Sequence, residues 1–461
     1  METRKEIDPL GEKAIPKDAY YGIQTLRATE NFPVSGIKAP LSFIKAYVTI
    51  KKSAAITNAQ LGCLEDKKAK AIIQACDEVL AGKLIDQFVV DVFQAGAGTS
   101  FNMNVNEVLA NRALEIVGRA KGEYKTISPN DDVNLGQSTN DTFPTALHVS
   151  VLMSLRPLLS SLDELADAFN VLGKKYGHVL KSGRTHLQDA VPVTIGQEFN
   201  AYGSAIANCC AELRKRQENL YSVALGGTAV GTGANAHPKY KFWAIAELDK
   251  MTGFPFKAAE NNFEVLQSQR AAQTVSSGLK ELAVELIRIG NDLRLLASGP
   301  TTGLNEIVLP PVQPGSSIMP GKVNPVMAEC LDMVAYQVVG NDLSTTLAIQ
   351  AGQLELNVMT PTIMYNILFS LQILTNFIPV FTAKCVKGIT VNEKQCSQYL
   401  EKNPSLATLL SPYIGYMEAA RIAKQAQAEN RSIKEIALEK KLLKPEEIEK
   451  IFDRKNLLNE Q

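Results

Sequence analysis

A mostly α-helical fold built around long, closely packed helices is what this 461-residue chain predicts, and three observations carry it. Ala272, Val275, Leu279, Leu282, Leu286, Ile289, Leu293 and Leu296 recur in alternating steps of three and four, which marks a heptad seam. Residues 150–176 and 195–223 also read as long helices. Residues 356–381 are helix-like but apolar on nearly all sides, so they should be buried. Together these segments predict an elongated central bundle. One bundle does not easily hide an all-apolar helix, so bundles from different copies are expected to pack together. The alternative is a monomer whose end domains cover that helix.

Three segments are expected. Residues 1–140 form an N-terminal, mainly helical domain that mixes short helices with glycine-rich stretches such as Gln94-Ala95-Gly96-Ala97-Gly98-Thr99. Residues 141–392 form the long-helix bundle, and residues 393–461 a small, more charged helical domain. In the last segment Ser432 and Glu435 have the spacing of a capping box. Pro445, followed by Glu446 and Glu447, suits the first turn of a closing helix. Gly231-Thr232-Gly233-Ala234-Asn235-Ala236 loosely fits a dinucleotide fingerprint, but no strand precedes it and no strand–helix alternation surrounds it. It reads as a turn between helices.

Composition excludes several function classes. Lys plus Arg equals Asp plus Glu, 48 each, which argues against a nucleic-acid or membrane-surface role. Seven scattered cysteines without Cys-x-x-Cys fit reduced thiols in a cytoplasmic protein. Four histidines form no His-x-x-x-His pair, so no metal site and no cofactor are expected. The start, Met-Glu-Thr-Arg-Lys, lacks the apolar core of a signal peptide, and the sequons at Asn140 and Asn430 are read as chance. Residues 356–383 carry no charge, yet Asn357, Asn366, Ser370, Gln372, Thr375 and Asn376 interrupt them and Pro361 and Pro379 fall inside. A buried core helix is expected there rather than a membrane span.

The chemistry concentrates in Gly315-Ser316-Ser317-Ile318-Met319-Pro320-Gly321-Lys322-Val323-Asn324-Pro325. Two prolines keep the stretch from regular structure, and it offers hydroxyls, an amide and one lysine with no acid. It is not a phosphate loop. Five residues, not four, separate Gly315 from Gly321, and Val323 stands where a Mg-binding hydroxyl belongs. Three more segments share its composition: Gly98-Thr99-Ser100-Phe101-Asn102, Gln137-Ser138-Thr139-Asn140-Asp141 and Gly183-Arg184-Thr185-His186-Leu187-Gln188-Asp189. Any one alone reads as a polar turn or helix cap. Four in a helical chain, if they converge, make a pocket of neutral donors around Lys322, suited to a small substrate with more than one carboxylate. Proton removal next to a carboxylate creates a doubly charged aci-carboxylate, which such donors stabilise. A serine made basic by the same surroundings could take the proton, and loss of a neighbouring leaving group would complete a β-elimination.

On these residues the chain resembles the aspartase/fumarase superfamily. Gly315 to Pro325 looks like its signature loop. The likeness also runs through Leu10-Gly11-Glu12, Tyr20-Tyr21-Gly22-Ile23-Gln24-Thr25, Pro129-Asn130-Asp131, the three polar segments above and Gly352-Gln353-Leu354-Glu355-Leu356-Asn357. The resemblance implies a three-domain, mostly helical lyase whose long helices form the core of a homotetramer, with each active site drawn from three subunits. It implies Ser316 as the base that takes the Cβ proton, with Lys322 and Asn324 on a substrate carboxylate. Thr99, Ser138, Thr139, Asn140, Thr185, His186 and Ser317 would line the rest of the pocket. His186 joins the catalytic set as a substrate contact or orienting group, since a lone histidine is more often a structural hydrogen-bonder than a catalyst. Asp141 and Asp189 are expected to brace their motifs. Closure of the loop over substrate would bring Ser316 into place.

Two branches of the superfamily compete, loss of ammonia from L-aspartate and loss of water from malate. Tyr20-Tyr21-Gly22, Thr139, Gly303-Leu304-Asn305-Glu306-Ile307 and Leu356-Asn357-Val358-Met359 look like the ammonia-lyase branch. Gly226-Gly227-Thr228-Ala229-Val230-Gly231 and Asn261-Asn262-Phe263-Glu264 look like the hydratase branch. The chain departs from both at Thr301-Thr302, where arginine is usual, and at Asn403-Pro404-Ser405 and Ser411-Pro412-Tyr413. The expectation is ammonia loss. Crystallin-like structural reuse of the fold is the non-enzyme alternative, opposed by the retained Ser316, Lys322, Asn324 and His186.

Overall fold

The computed structural model describes residues 2–458. The chain opens with the hairpin β1 (Thr3–Asp8) and β2 (Gly11–Pro16), followed by α1 (Ile23–Asn31), α2 (Leu41–Gln60), α3 (Asp66–Leu80) and α4 (Thr99–Ile116). The long helix α5 (Thr139–Lys175) leads to a second hairpin, β3 (Leu180–Thr185) and β4 (Gln188–Thr194), and then to α6 (Ile195–Arg216). Next come β5 (Ser222–Val223), α7 (Tyr240–Thr252), β6 (Lys257–Ala258), α8 (Asn262–Gln267) and α9 (Arg270–Leu296). After β7 (Ile307–Val308) the helices α10 (Val326–Gln350) and α11 (Thr360–Lys384) run to β8 (Thr390–Val391). The C-terminal helices are α12 (Glu393–Glu401), α13 (Ser411–Ile414), α14 (Tyr416–Glu429), α15 (Ile433–Glu439), α16 (Pro445–Ile451) and α17 (Arg454–Leu457).

The chain forms two compact units. The first comprises residues 1–160, 209–283 and 335–375, and the second residues 161–208, 284–334 and 376–461. In the first, α2 packs on α3, α7 and an aromatic cluster of Phe43, Tyr47, Phe101 and Phe143 with ring centroids 4.8–6.1 Å apart. In the second, Phe169, Phe199 and Tyr202 stack between α5 and α6. A separate small core near the C-terminus gathers Leu406, Leu410, Ile422, Ile433, Ile436 and Ile448.

The heptad seam is buried along its full length, from Ala272 to Leu296. The Ser432–Glu435 capping box forms, and Pro445 opens α16. Other expectations are corrected. The N-terminal helices are not short, since α2 has 20 residues and α4 has 18. Helix α6 stops at Arg216 and gives way to a 3-10 turn and β5. Helix α10 was not foreseen, because apolar residues lie on several of its sides and give no single stripe. Two helices among the described residues, α5 and α11, are long and apolar enough to cross a membrane. In α5 that stretch is mostly buried, and its Thr142 and Thr145 hydroxyls donate back to the carbonyls of Ser138 and Asp141 while His148 meets a core carbonyl, the pattern of a core helix. In α11 only half is buried within one chain, which differs from the expected complete burial.

His148 is buried on α5, with Nδ1 3.1 Å from the Leu220 carbonyl. Burial pushes its pKa down to about 4. The unfolded chain therefore takes up a proton near pH 6.5 that the folded chain refuses until about pH 4, so stability present above pH 6.5 is lost as pH falls through that window. Chemical denaturation between pH 7 and pH 4 should show a loss of about 3 kcal/mol from this group, and His148→Gln should flatten the slope.

Candidate active site

In the first unit the polar segments sit at helix starts. Thr99 opens α4 after Gly98, whose backbone is left-handed at φ 91° and whose missing Cβ would collide with the Phe143 ring at 2.1 Å. The Thr99 hydroxyl donates to the Gly96 carbonyl at 2.6 Å, and the side chain is exposed. Three residues on, Asn102 donates to the Thr139 hydroxyl at 2.9 Å, so the two segments meet, and Thr139 itself is buried. Ser138 and Asn140 are half-buried. The Asn140 amide N–H donates to Ser138 Oγ, and its carboxamide donates to the Ala229 carbonyl at 2.8 Å.

Beneath this turn lie two ionisable groups. The Asp141 carboxylate is fully buried and accepts the backbone N–H of Ser138 (3.0 Å), Thr228 (2.8 Å) and Gly226 (3.0 Å). It ties the start of α5 to the 226–231 loop, the bracing role expected of it. Burial pushes its carboxyl up to about 6, against the pull of those amides. Lys51 on α2 is equally buried, and its ammonium donates to Asn134 Oδ1 and Gln137 Oε1, each at 2.9 Å. Burial lowers its pKa to about 7, with Asp141 pulling the other way. Asn134 Oδ1 also accepts from Asn102 and Asn106. Sequence reasoning missed Lys51. The signal was its place beside Phe43, Tyr47, Ile50 and Ala54 on the core face of α2, while Lys52 next to it reaches Asp77 at the surface.

In the second unit the signature loop closes on itself. The Asn324 carboxamide donates to the Gly315 carbonyl at 2.6 Å, and the Lys322 ammonium donates to Asn324 Oδ1 at 2.8 Å. Gly315 is required there, because a Cβ would lie 2.0 Å from the Lys322 carbonyl oxygen. Ser316 Oγ accepts the N–H groups of Ile318 (3.3 Å) and Met319 (3.0 Å). Two amide donors pointing at that oxygen favour charge on it. Ser317 and Lys322 are exposed, with Ile318 82% exposed between them. Thr185 and His186 occupy the exposed tip of the β3–β4 hairpin, where His186 and Leu187 take φ of 55° and 59°, the signature of a two-residue type I′ turn. Among the described residues no hydrogen bond joins this tip to the loop. The chain thus presents the predicted residues as separate clusters: Thr99 with Ser138, Thr139 and Asn140 in one unit, and in the other Thr185 with His186, and Ser316 and Ser317 with Lys322 and Asn324.

Long helices bearing donor-rich loops, with a serine whose oxygen is held by amides and a lysine that meets no carboxylate among the described residues, make a helical frame whose loops suit a negatively charged substrate. The comparisons agree. The chain belongs to the aspartase/fumarase superfamily: a family model described as Lyase matches residues 11–340, and one described as Fumarase C C-terminus matches residues 406–459. It is similar to the aspartate ammonia-lyase of a Bacillus species, 48% identical over 452 residues, covering 98% of this chain and 97% of that one. It is also similar to a class II fumarate hydratase of Thermosynechococcus vestitus, 47% identical, covering 98% of this chain and 96% of that one. The crystal structure of recombinant class II fumarase from Schistosoma mansoni superposes with a TM-score of 0.96 at 38% identity, covering both chains in full. The protein is therefore an enzyme, a lyase.

Removing the buried ammonium strands Gln137 Oε1 and takes one of three donors from Asn134 Oδ1 beneath the Ser138–Asn140 turn. Lys51→Met should lower unfolding free energy by about 1–3 kcal/mol in denaturant titration and raise KM for substrate in the same preparation.

Proposed function

We propose that this lyase eliminates ammonia from L-aspartate to give fumarate, reversibly. The observation that carries the reading is the acid-free loop in which the Ser316 oxygen is held by two amides and Lys322, among the described residues, pairs with the neutral Asn324 and no acid. Ser316 Oγ takes a proton from Cβ. The electrons of that C–H bond pass into the adjacent carboxylate and give an aci-carboxylate, which Lys322 and Asn324 hold. Collapse of that species forms the carbon–carbon double bond and breaks the Cα–N bond, and ammonia leaves with the bonding pair. Thr99, Ser138, Thr139, Asn140, Thr185, His186 and Ser317 grip the other carboxylate and the amino group, with His186 orienting substrate. Closure of the loop would carry Ser316 to Cβ. Aspartate ammonia-lyases from several bacteria, 47–50% identical to this chain, support ammonia as the leaving group.

The clusters meet, on this reading, across the subunits of a homotetramer. Tyr336, Leu343 and Leu347 on α10 are 54–62% exposed and fall on one stripe with Gly340, in steps of four, three and four. Such a seam suits another helix of the same kind, and the half-exposed apolar face of α11 adds to it. The scattered cysteines favour the cytoplasm as the compartment.

The second reading, water loss from malate, rests on the 47% identity to a fumarate hydratase. The ultraviolet absorbance of fumarate formed from L-aspartate and from malate in parallel decides between them. Product from aspartate is expected, and product from malate alone would overturn the proposal. Ser316→Ala should cut turnover by about 100-fold or more while largely sparing binding of a dicarboxylate inhibitor measured by calorimetry. Leu343→Glu should shift the tetramer to smaller species in sedimentation and abolish turnover with them.

A further inference from the structure

Lys181 and Arg184 stand three residues apart on β3, an odd separation that places side chains on opposite faces of a regular strand. The strand is not regular. The pairing of β3 with β4 shifts register between Ser182 and Arg184, and Gly183 lies at the shift, where a Cβ would meet the Val191 carbonyl oxygen at 2.5 Å. Both cations therefore reach one carboxylate. Glu306, with no exposed surface, sits 2.7 Å from Lys181 Nζ and pairs with Arg184, whose Nη1 donates to Oε2 at 3.0 Å while Nη2 lies 2.9 Å from Oε1, which accepts no hydrogen bond among the described residues. Lys181 also donates to both oxygens of Glu198, at 2.9 and 3.0 Å. Two cations and two carboxylates close the cluster without net charge.

Glu306 is itself held at both backbone ends. Its N–H donates to the Leu296 carbonyl, and its carbonyl accepts the Asn392 N–H, each at 2.9 Å. The hairpin is also held on both strands: the Asn403 carboxamide donates to Ser182 Oγ on β3 and to the Ala190 carbonyl on β4, and the Ser405 hydroxyl donates to the Asp189 carbonyl on β4. The stem is thus over-determined, while the tip, with two non-glycine residues at positive φ, makes no side-chain bond of its own among the described residues. Left-handed turn residues of this kind persist when the strands flanking them are fixed.

We propose that Arg184 and Glu306 are positioning residues for Thr185 and His186. With the Arg184 guanidinium turned in to Glu306, the next side chain, Thr185, must leave the strand on the opposite face, and the turn after it sets the direction of His186. Neither Arg184 nor Glu306 touches substrate; they act through the tip. The inference rests on the reading of that tip as part of the lyase site.

A double-mutant cycle on the purified, assembled enzyme tests it. Arg184→Met should lower kcat/KM for L-aspartate about 10- to 100-fold, the scale of an ångström-sized misplacement. In a background already carrying Thr185→Val and His186→Ala it should have no further effect. Arg184→Lys, which keeps the charge but loses the planar guanidinium beside Glu306, is read in the same cycle, so that a failure of Arg184→Met to assemble leaves a second measurement. Effects that multiply independently of the tip, or unchanged kcat/KM in both Arg184 variants, would overturn the inference and leave the proposed reaction standing. Normal turnover in the tip variant would overturn the inference and the placing of the tip in the site together.

Discussion

Two exposed polar segments of this protein, the Ser138–Asn140 turn and the Thr185–His186 tip, rest on carboxylates buried beneath them, and much of the architecture serves that arrangement. Asp141 collects three backbone N–H groups and fixes the turn that carries Ser138, Thr139 and Asn140. Glu306 collects Lys181 and Arg184 under the hairpin that carries Thr185 and His186. Glu107 does the same at a third place, accepting the N–H groups of Gly22, Gln24 and Thr25 at the start of α1. A buried carboxylate is costly unless its hydrogen bonds are satisfied, so each dictates the position of every donor it recruits. In the proposed reaction, neutral donors that meet a doubly charged intermediate gain from such fixing, since little reorganisation remains when charge develops.

The signature loop works differently. Among the described residues it pairs with no buried ion, and it is held by its own side chains, with Asn324 bridging Gly315 and Lys322. Its apolar residues Ile318 and Val323 face outward. A self-closed loop with exposed apolar residues can move as a unit, which the proposed approach of Ser316 to Cβ requires. In the proposed reaction the anchored segments orient substrate and the self-contained loop reacts with it.

Long helices serve both ends. Helix α5 runs 37 residues from the Thr139 turn, and its first turns supply the aromatic and hydroxyl core of one compact unit. The seam of α9 is satisfied within the chain, while the apolar stripe of α10 stays exposed on it and is the face the proposed tetramer would cover. The leaving group is not written in this frame. Relatives of both branches are nearly equally identical to the chain, and the frame is common to both.

Much of this was legible in the residues alone. Periodicity identified the α9 seam and most of α5, and composition singled out the four polar segments, because spacing and residue type are local properties that survive without coordinates. Helix α10 escaped, since a helix with apolar residues on several sides has no single stripe to detect. The supporting ions escaped for a related reason. Lys51 and Lys52 are neighbours of identical type, yet one lies under the Ser138 turn and the other at the surface, and only the facing of α2 against its neighbours separates them. Glu306 lies 122 residues from Arg184 in the chain, and the bulge at Gly183 that brings Lys181 and Arg184 to the same carboxylate has no counterpart in a count of alternating positions. The sequence by itself determined a helical lyase with a serine- and lysine-bearing loop. The tertiary structure decided which charges are buried and therefore which donors are held still, because burial is a property of long-range contact that no local pattern encodes.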